Sequence, residues 1–150
     1  MRRSMRFRYA FQKIVDLKMN EKTQAEWMLS EALGKMHAEE SSLAELEKAK
    51  YEMQEELHKS SSQVTTVSNL LMLQGYVNHI DGRIQLKHRD VQEAKTIVQL
   101  KQDDLTGKLL EEKVWTKAKE RAFQHFSSEA LKKEQNQLDE MATNRFKRLS

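Results

Sequence analysis

The chain contains no proline in 150 residues and only four glycines. Ordinary usage would supply about seven prolines and about ten glycines in a chain of this length. Proline breaks the interior of a helix and glycine weakens it, so very little in this sequence interrupts helix formation. Glu, Lys, Gln, Leu, Met and Ala, which are all good helix formers, are abundant in the rest of the chain. The sequence therefore predicts one or two very long helices.

The balance between apolar and charged residues favours a coiled coil over a compact globule. Hydrophobic residues make up 38% of the chain and charged residues 33%, whereas a globular domain usually carries more apolar and fewer charged residues. The chain has no cysteine, so disulfides and thiolate metal sites are excluded. No apolar run approaches the length of about 18 residues that suggests a membrane span. The basic start lacks an apolar section behind it, and we do not expect it to act as a secretory signal.

Charge is distributed in blocks along the chain. Residues 1–20 carry six basic and one acidic side chain, whereas residues 21–57 carry four basic and ten acidic ones. The two later blocks, 58–110 and 111–150, each have a net charge of +2. Because acidic residues are interleaved with basic ones, we expect no nucleic-acid partner. The basic start could instead touch an anionic membrane surface.

Apolar spacing predicts a first arm over about residues 5–57, with a shift of coiled-coil register near Leu43. The pattern fails over residues 59–69, where serine, threonine and valine favour a bend or caps over helix. Ser60 and Gln63 form a candidate capping box there.

The second arm is predicted over about residues 70–146, and it carries the clearest repeat of the chain. Apolar residues recur at intervals of seven, and such a heptad repeat is typical of a supercoiled helix with a narrow apolar seam. They are Leu70, Val77, Ile84, Val91, Val98 and Leu105. Beyond Leu105 the seam is predicted to shift through Leu109 to Trp115, Ala118, Ala122 and Phe126.

Two long helices joined by a short break normally pack antiparallel. The sequence therefore predicts an all-α fold, a long antiparallel two-helix coiled coil (a hairpin) in a single domain over residues 1–150. A fold-back centred near residue 62 would place Phe7 and Phe11 opposite residues 113–117, so we expect an aromatic cluster with Trp115. The arms are unequal, which leaves a C-terminal helical overhang from about Ala122 onward.

No catalytic, cofactor or metal motif is found, so we expect no enzyme activity and no cofactor. His125 and Glu129 are spaced i, i+4 and could share a metal, but a solvated pair is the more common situation. His88 lies next to the seam and is interpreted as a residue that fixes register. Tyr76 also lies beside the seam, where packing at the edge of the core is the simpler explanation and a partner contact is the alternative.

Three stretches together resemble the flagellar export protein FliJ family. They are Phe7–Leu17, Leu73–Ile80 and a longer one from Trp115 to Phe146, and the resemblance covers nearly the whole chain in order and length. It implies a small cytoplasmic component of the flagellar type III export apparatus, peripherally associated with the cytoplasmic face of the membrane. Such proteins are antiparallel two-helix coiled coils similar to the central stalk of rotary ATPases.

The resemblance also implies partners. Members of the family engage the hexameric export ATPase and promote its assembly and activity, contact the membrane export gate, and help to recycle export chaperones. By this resemblance Tyr76 and Ile80 would contact the gate. The residues that would contact the ATPase lie in the overhang; they are Leu131, Leu138, Asp139, Met141 and Arg145.

Two other functions remain open from the sequence. A stalk subunit of a true rotary ATPase usually has a globular insertion between its helices, and the bend leaves no room for one. A generic structural coiled coil could dimerise through the heptad seam of the second arm, whereas the hairpin prediction implies a monomer.

Overall fold

The structure, a computed structural model, describes residues 6–149, which form two long α-helices. Helix α1 spans Gln12–Ser61 and helix α2 spans Val67–Leu149. The two helices pack against each other, and no strand is present between residues 6 and 149. The predicted all-α fold class of a two-helix coiled coil is therefore confirmed.

The residues of the chain form two compact units, each defined by the contacts among its own residues. One unit joins the residues up to Gln24 to those from Thr106 onward, and the other comprises Ala25–Leu105. Each unit contains a stretch of α1 and the stretch of α2 that packs against it.

The two helices run antiparallel in both units. In the second unit Glu39 pairs with Lys87, and further along α1 Lys50 pairs with Asp81, which comes earlier in α2. The first unit shows the same order, since Phe7 contacts Phe123 while the later Phe11 contacts Trp115.

The heptad repeat of the second arm forms the α2 side of the core. Four of its six predicted residues are buried, and Leu70 and Val98 are half-buried. Leu73 and Ala94, which lie three residues further along, are buried as well. The predicted seam is confirmed over Leu70–Leu105.

The register shift predicted near Leu43 is wrong. Two rows of α1 residues at unbroken intervals of seven are at least half-buried. They are Val15, Lys22, Leu29, Met36, Leu43, Lys50 and Leu57, and Lys18, Ala25, Ala32, Glu39, Leu46, Met53 and Ser60. The heptad is hidden in the sequence because alanine, lysine and glutamate occupy several of its positions.

The shift predicted beyond Leu105 is only partly right, because Trp115, Ala118, Ala122 and Phe126 are half-buried as predicted but the register does not change. The α2 seam continues at intervals of seven through Glu112 and Lys119 to Phe126, all of them half-buried, while Leu109 is exposed. Long charged side chains can cover apolar surface with their methylene stems while the charged heads reach water. The side chains of Glu112 and Lys119 cover the seam in this way, although neither residue is apolar in the sequence pattern.

The linker between the two helices is shorter than predicted. Helix α1 begins at Gln12 instead of about residue 5, which itself lies outside the described residues, and it ends at Ser61 instead of about residue 57. Helix α2 begins at Val67, three residues before the predicted start. The linker is therefore only Ser62–Thr66.

The capping box predicted at Ser60 and Gln63 is wrong, because Ser60 lies within α1. Thr66 is the residue that caps α2, since its Oγ1 accepts a hydrogen bond from the backbone N–H of Asn69 at 3.2 Å. A threonine hydroxyl that accepts from the third helical N–H satisfies one of the free donors of a helix start.

The aromatic cluster is present in the first unit, although its register differs from the prediction. The ring of Phe11 lies 6.0 Å from that of Trp115, as expected. Phe7 lies instead against Phe123 and Phe126, at ring distances of 5.3 and 5.5 Å. The linker is centred later than assumed, so the residues opposite Phe7 move toward the C-terminus.

The same change in register shortens the overhang. Residues through Ala130 include half-buried positions, and every residue from 131 to 149 is exposed. The part of α2 without any half-buried residue therefore begins after Ala130 and not at Ala122.

Candidate partner-binding surfaces

The terminal segment of α2, residues 131–149, is a stretch of helix in which every residue is exposed. Its large hydrophobic side chains are 60% to 89% exposed. They are Leu131, Leu138, Met141, Phe146 and Leu149. Exposed apolar side chains that share one helix face are typical of a binding surface.

One face of the terminal segment carries most of these side chains. Leu138, Met141 and Phe146 line a shallow groove together with Ala142, Arg145 and Leu149. Leu131 precedes Leu138 by seven residues, or two helical turns, and so lies on the same face. Four of the five residues predicted to contact the ATPase therefore lie together.

Asp139 lies about 100° around the helix from Leu138, at the edge of the polar face. It lines a second shallow groove with Asn136, Glu140 and Thr143 among its neighbours. Its carboxylate accepts a hydrogen bond from the side chain of Gln135 at 3.3 Å. The structure does not bring Asp139 together with the other four predicted residues.

The apolar face of the terminal segment is not a continuation of the seam. When the two seam rows of α2 are continued beyond Phe126 at intervals of seven, they meet only polar residues. These are Glu129, Lys133, Asn136, Glu140, Thr143 and Lys147. The apolar residues of the terminal segment therefore lie on a different face of α2 from the seam.

Tyr76 and Ile80, the residues predicted to contact the gate, lie one turn apart near the start of α2. Tyr76 is 50% exposed and Ile80 is half-buried in a seam row. Leu71, which the sequence analysis did not single out, and Met72 are also exposed close by. Met72 and Tyr76 are spaced i, i+4, which could have revealed them as one patch.

Trp27 is another residue that the sequence analysis did not single out. Its side chain is 77% exposed on α1. The intervals of seven that contain Ala25 and Leu29 would have identified it as a position outside the seam.

Ion pairs surround the seam in both units. In the first unit the Lys18 ammonium lies 3.1 Å from the Glu111 carboxylate, and Lys22 lies 3.2 Å from Glu112. Hydrogen bonding to Glu111 raises the pKa of Lys18 above its ordinary value, and the same bond lowers the pKa of Glu111. In the second unit a hydrogen bond to Glu39 raises the pKa of Lys87.

The histidines take no part in a metal site among residues 6–149. His88 has its Nε2 3.9 Å from a Glu47 carboxylate oxygen, and both side chains are more than half exposed. His125 is exposed, and no group of three or more potential ligands is assembled in the described part of the chain. Within that part, neither helix has a stretch long and apolar enough to cross a membrane.

Comparison with known proteins gives the family. The flagellar FliJ protein family matches residues 7–149. The chain belongs to the FliJ family. The predicted resemblance is therefore confirmed, and with it the general function of a component of flagellar type III export.

A relative and a solved structure agree with this assignment. The flagellar FliJ protein of Bacillus subtilis is 25% identical over 142 residues, which cover 95% of this chain and 97% of the relative. The solved structure is that of a protein described as a YscO homologue from Chlamydia trachomatis, with a TM-score of 0.67 and 18% identity. The match covers 92% of this chain and 94% of that one, and it shows that the two share a fold.

Proposed function

We propose that this FliJ-family protein is a non-enzymatic component of the flagellar export apparatus that binds the hexameric export ATPase through the terminal segment of α2. In this role it promotes assembly and activity of the ATPase without hydrolysing ATP itself. The observation that carries the proposal is the apolar face of residues 131–149, which is exposed and lies outside the seam register.

The energetics of this segment support a partner. An isolated helix of mixed polarity is only marginally stable in water, because it lacks tertiary packing. A partner that receives Leu138, Met141 and Phe146 would bury their apolar surface and stabilise the helix at the same time. Arg145, on the same face, could pair with a carboxylate of the partner.

Two further contacts belong to the same proposal. Tyr76 and Ile80 would contact the membrane export gate, since an exposed tyrosine beside a hydrophobic neighbour is a typical anchor for a partner. The protein would also help to recycle export chaperones. It would act in the cytoplasm, peripherally associated with the membrane at the flagellar base.

The test compares stimulation of the purified export ATPase by the full chain and by a chain ending at Ala130. Residues 131–149 contribute no half-buried position, so we expect the shortened chain to keep its unfolding transition and to lose stimulation. Equal stimulation by the two chains would contradict the proposal.

A pair of matched double variants makes the test sharper. The double variant Leu138→Ala with Met141→Ala removes apolar surface from the proposed binding face. The control variant Asn136→Ala with Thr143→Ala also introduces two alanines, but on the opposite face. Because alanine favours helix, neither pair should weaken the helix itself. The first pair should reduce stimulation several-fold and the second should leave it near the level of the unchanged chain.

A further inference from the structure

Trp27 points away from the helix pairing in the second unit. It is two residues from buried Ala25 and two residues from half-buried Leu29. Two residues correspond to a rotation of about 200° around the helix, so Trp27 lies on the side opposite both. Its indole is 77% exposed, and tryptophan is the side chain with the largest apolar area to lose from water,.

The carboxylates of Glu26 and Glu31 lie beside the exposed indole. Glu26, Ser30 and Glu31 line a shallow groove with Trp27. Neither Glu26 nor Glu31 has an ion-pair partner among residues 6–149, although many carboxylates of α1 and α2 do. The surrounding block, residues 21–57, has four basic and ten acidic side chains.

We propose that Glu26, Trp27 and Glu31 form a docking surface for a basic segment of another polypeptide. An arginine of that segment would stack on the exposed indole, since tryptophan is the best aromatic partner for a guanidinium. Neighbouring basic residues would pair with the two free carboxylates. The charge of this part of α1 attracts such a segment and repels an acidic one.

This surface is separate from those of the proposed function. It lies on α1, whereas the terminal segment, Tyr76 and Ile80 all belong to α2. A failure of ATPase stimulation would therefore leave the docking of a basic segment untouched, and the reverse also holds.

The test measures binding of a hexa-arginine peptide to the full chain by calorimetry, with a hexa-glutamate peptide as the comparison. Trp115→Phe leaves Trp27 as the only tryptophan, so its fluorescence reports contact with the peptide directly. We expect binding of hexa-arginine with a change in Trp27 emission, and no binding of hexa-glutamate. Trp27→Ala should weaken the binding about tenfold.

A matched pair of charge variants separates a defined site from general attraction. Glu26→Gln with Glu31→Gln removes two charges beside Trp27, and Glu55→Gln with Glu56→Gln removes two from the same acidic block at a distance. The first pair should weaken binding about tenfold and the second by less than about threefold.

Several results would overturn the proposal. If the two double Glu→Gln variants weaken peptide binding equally, the peptide responds only to net charge. Undiminished binding by Trp27→Ala, or equal binding of hexa-glutamate, would exclude a role for the indole. If the chain self-associates and Trp27→Ala abolishes that association, the surface is occupied by a second copy and not by a basic segment.

Discussion

At the scale of single residues, the seam contains charged side chains where a coiled coil usually has apolar ones. Lys18, Lys22, Glu39 and Lys50 all occupy heptad positions of α1, and each is held by an oppositely charged residue of α2. Partly exposed pairs of this kind contribute little to stability. Their attested use in coiled coils is to fix register, and we infer the same role here.

The pair of Lys18 and Glu111 makes stability depend on pH within the first unit. The pKa of Glu111 is lowered from its ordinary 4.5, so its contribution is present above that value and is lost as pH falls through the folded-state pKa,. The pKa of Lys18 is raised from 10.5, so its contribution is present below that value and is lost as pH rises further. Glu111→Gln should therefore destabilise the protein at neutral pH, by an amount that vanishes in acid.

Urea unfolding curves of the unchanged chain and of Glu111→Gln, recorded between neutral pH and pH about 3, measure this difference. Glu140→Gln, in the exposed terminal segment, is the control and should show no such convergence. A difference between Glu111→Gln and the unchanged chain that stays constant down to the lowest pH would contradict the assignment.

The residues of the candidate site were only partly predictable from the sequence. Spacing alone relates Leu131, Leu138, Met141 and Arg145 to one helix face, and the structure agrees. All five residues came from the family resemblance, and Asp139 is the one that lines the neighbouring polar groove. The exposure of Trp27 was missed because alanine and charged residues obscure the heptad of α1.

At the scale of the elements, composition and heptad spacing were sufficient to predict two long helices and one linker. The ends of the helices were not predictable to the residue, because serine and threonine favour both caps and loops. Within Lys59–Asn69 several hydroxyls could have capped a helix. Only the backbone path in the structure shows that Thr66 does so.

Thr66→Ala tests the capping assignment. The substitution removes the acceptor of the Asn69 backbone N–H, so we expect a loss of about 1 kcal/mol in the free energy of unfolding. Ser60→Ala should change it far less, because Ser60 lies within α1 and alanine favours helix,. If Ser60→Ala is the more damaging of the two in chemical denaturation, Thr66 is not the cap.

Glycines within the helices lower stability for no structural gain. Gly34 and Gly107 lie inside α1 and α2, and an added Cβ would meet no atom within 4 Å at either position. Each change to alanine should raise the free energy of unfolding by about 0.5–1 kcal/mol. Ala38→Gly, at an exposed position of α1, is the matched reverse change and should lower it by a similar amount in the same denaturation experiment.

At the scale of the whole molecule, pairing within one chain favours the hairpin over a generic dimerising coiled coil. In the structure the heptad seam over Leu70–Leu105 is buried against α1 of the same chain. A seam that is already covered has no apolar surface left for a second copy. The pairing therefore favours a monomer of 17.7 kDa, which stays a prediction about the protein in solution.

Unfolding of such a monomer is a reaction of one molecule, so its melting temperature should not depend on protein concentration. We expect the same midpoint, followed by circular dichroism, across about a hundredfold range of concentration, and the mass of a single chain in sedimentation equilibrium. A dimer that pairs through the seam must dissociate as it unfolds, so mass action would raise its midpoint with concentration. A rising midpoint that persists after truncation at Ala130 would place the association in the paired helices and contradict the hairpin. A rise that disappears on truncation would assign it to the exposed apolar face of the terminal segment and leave the hairpin intact.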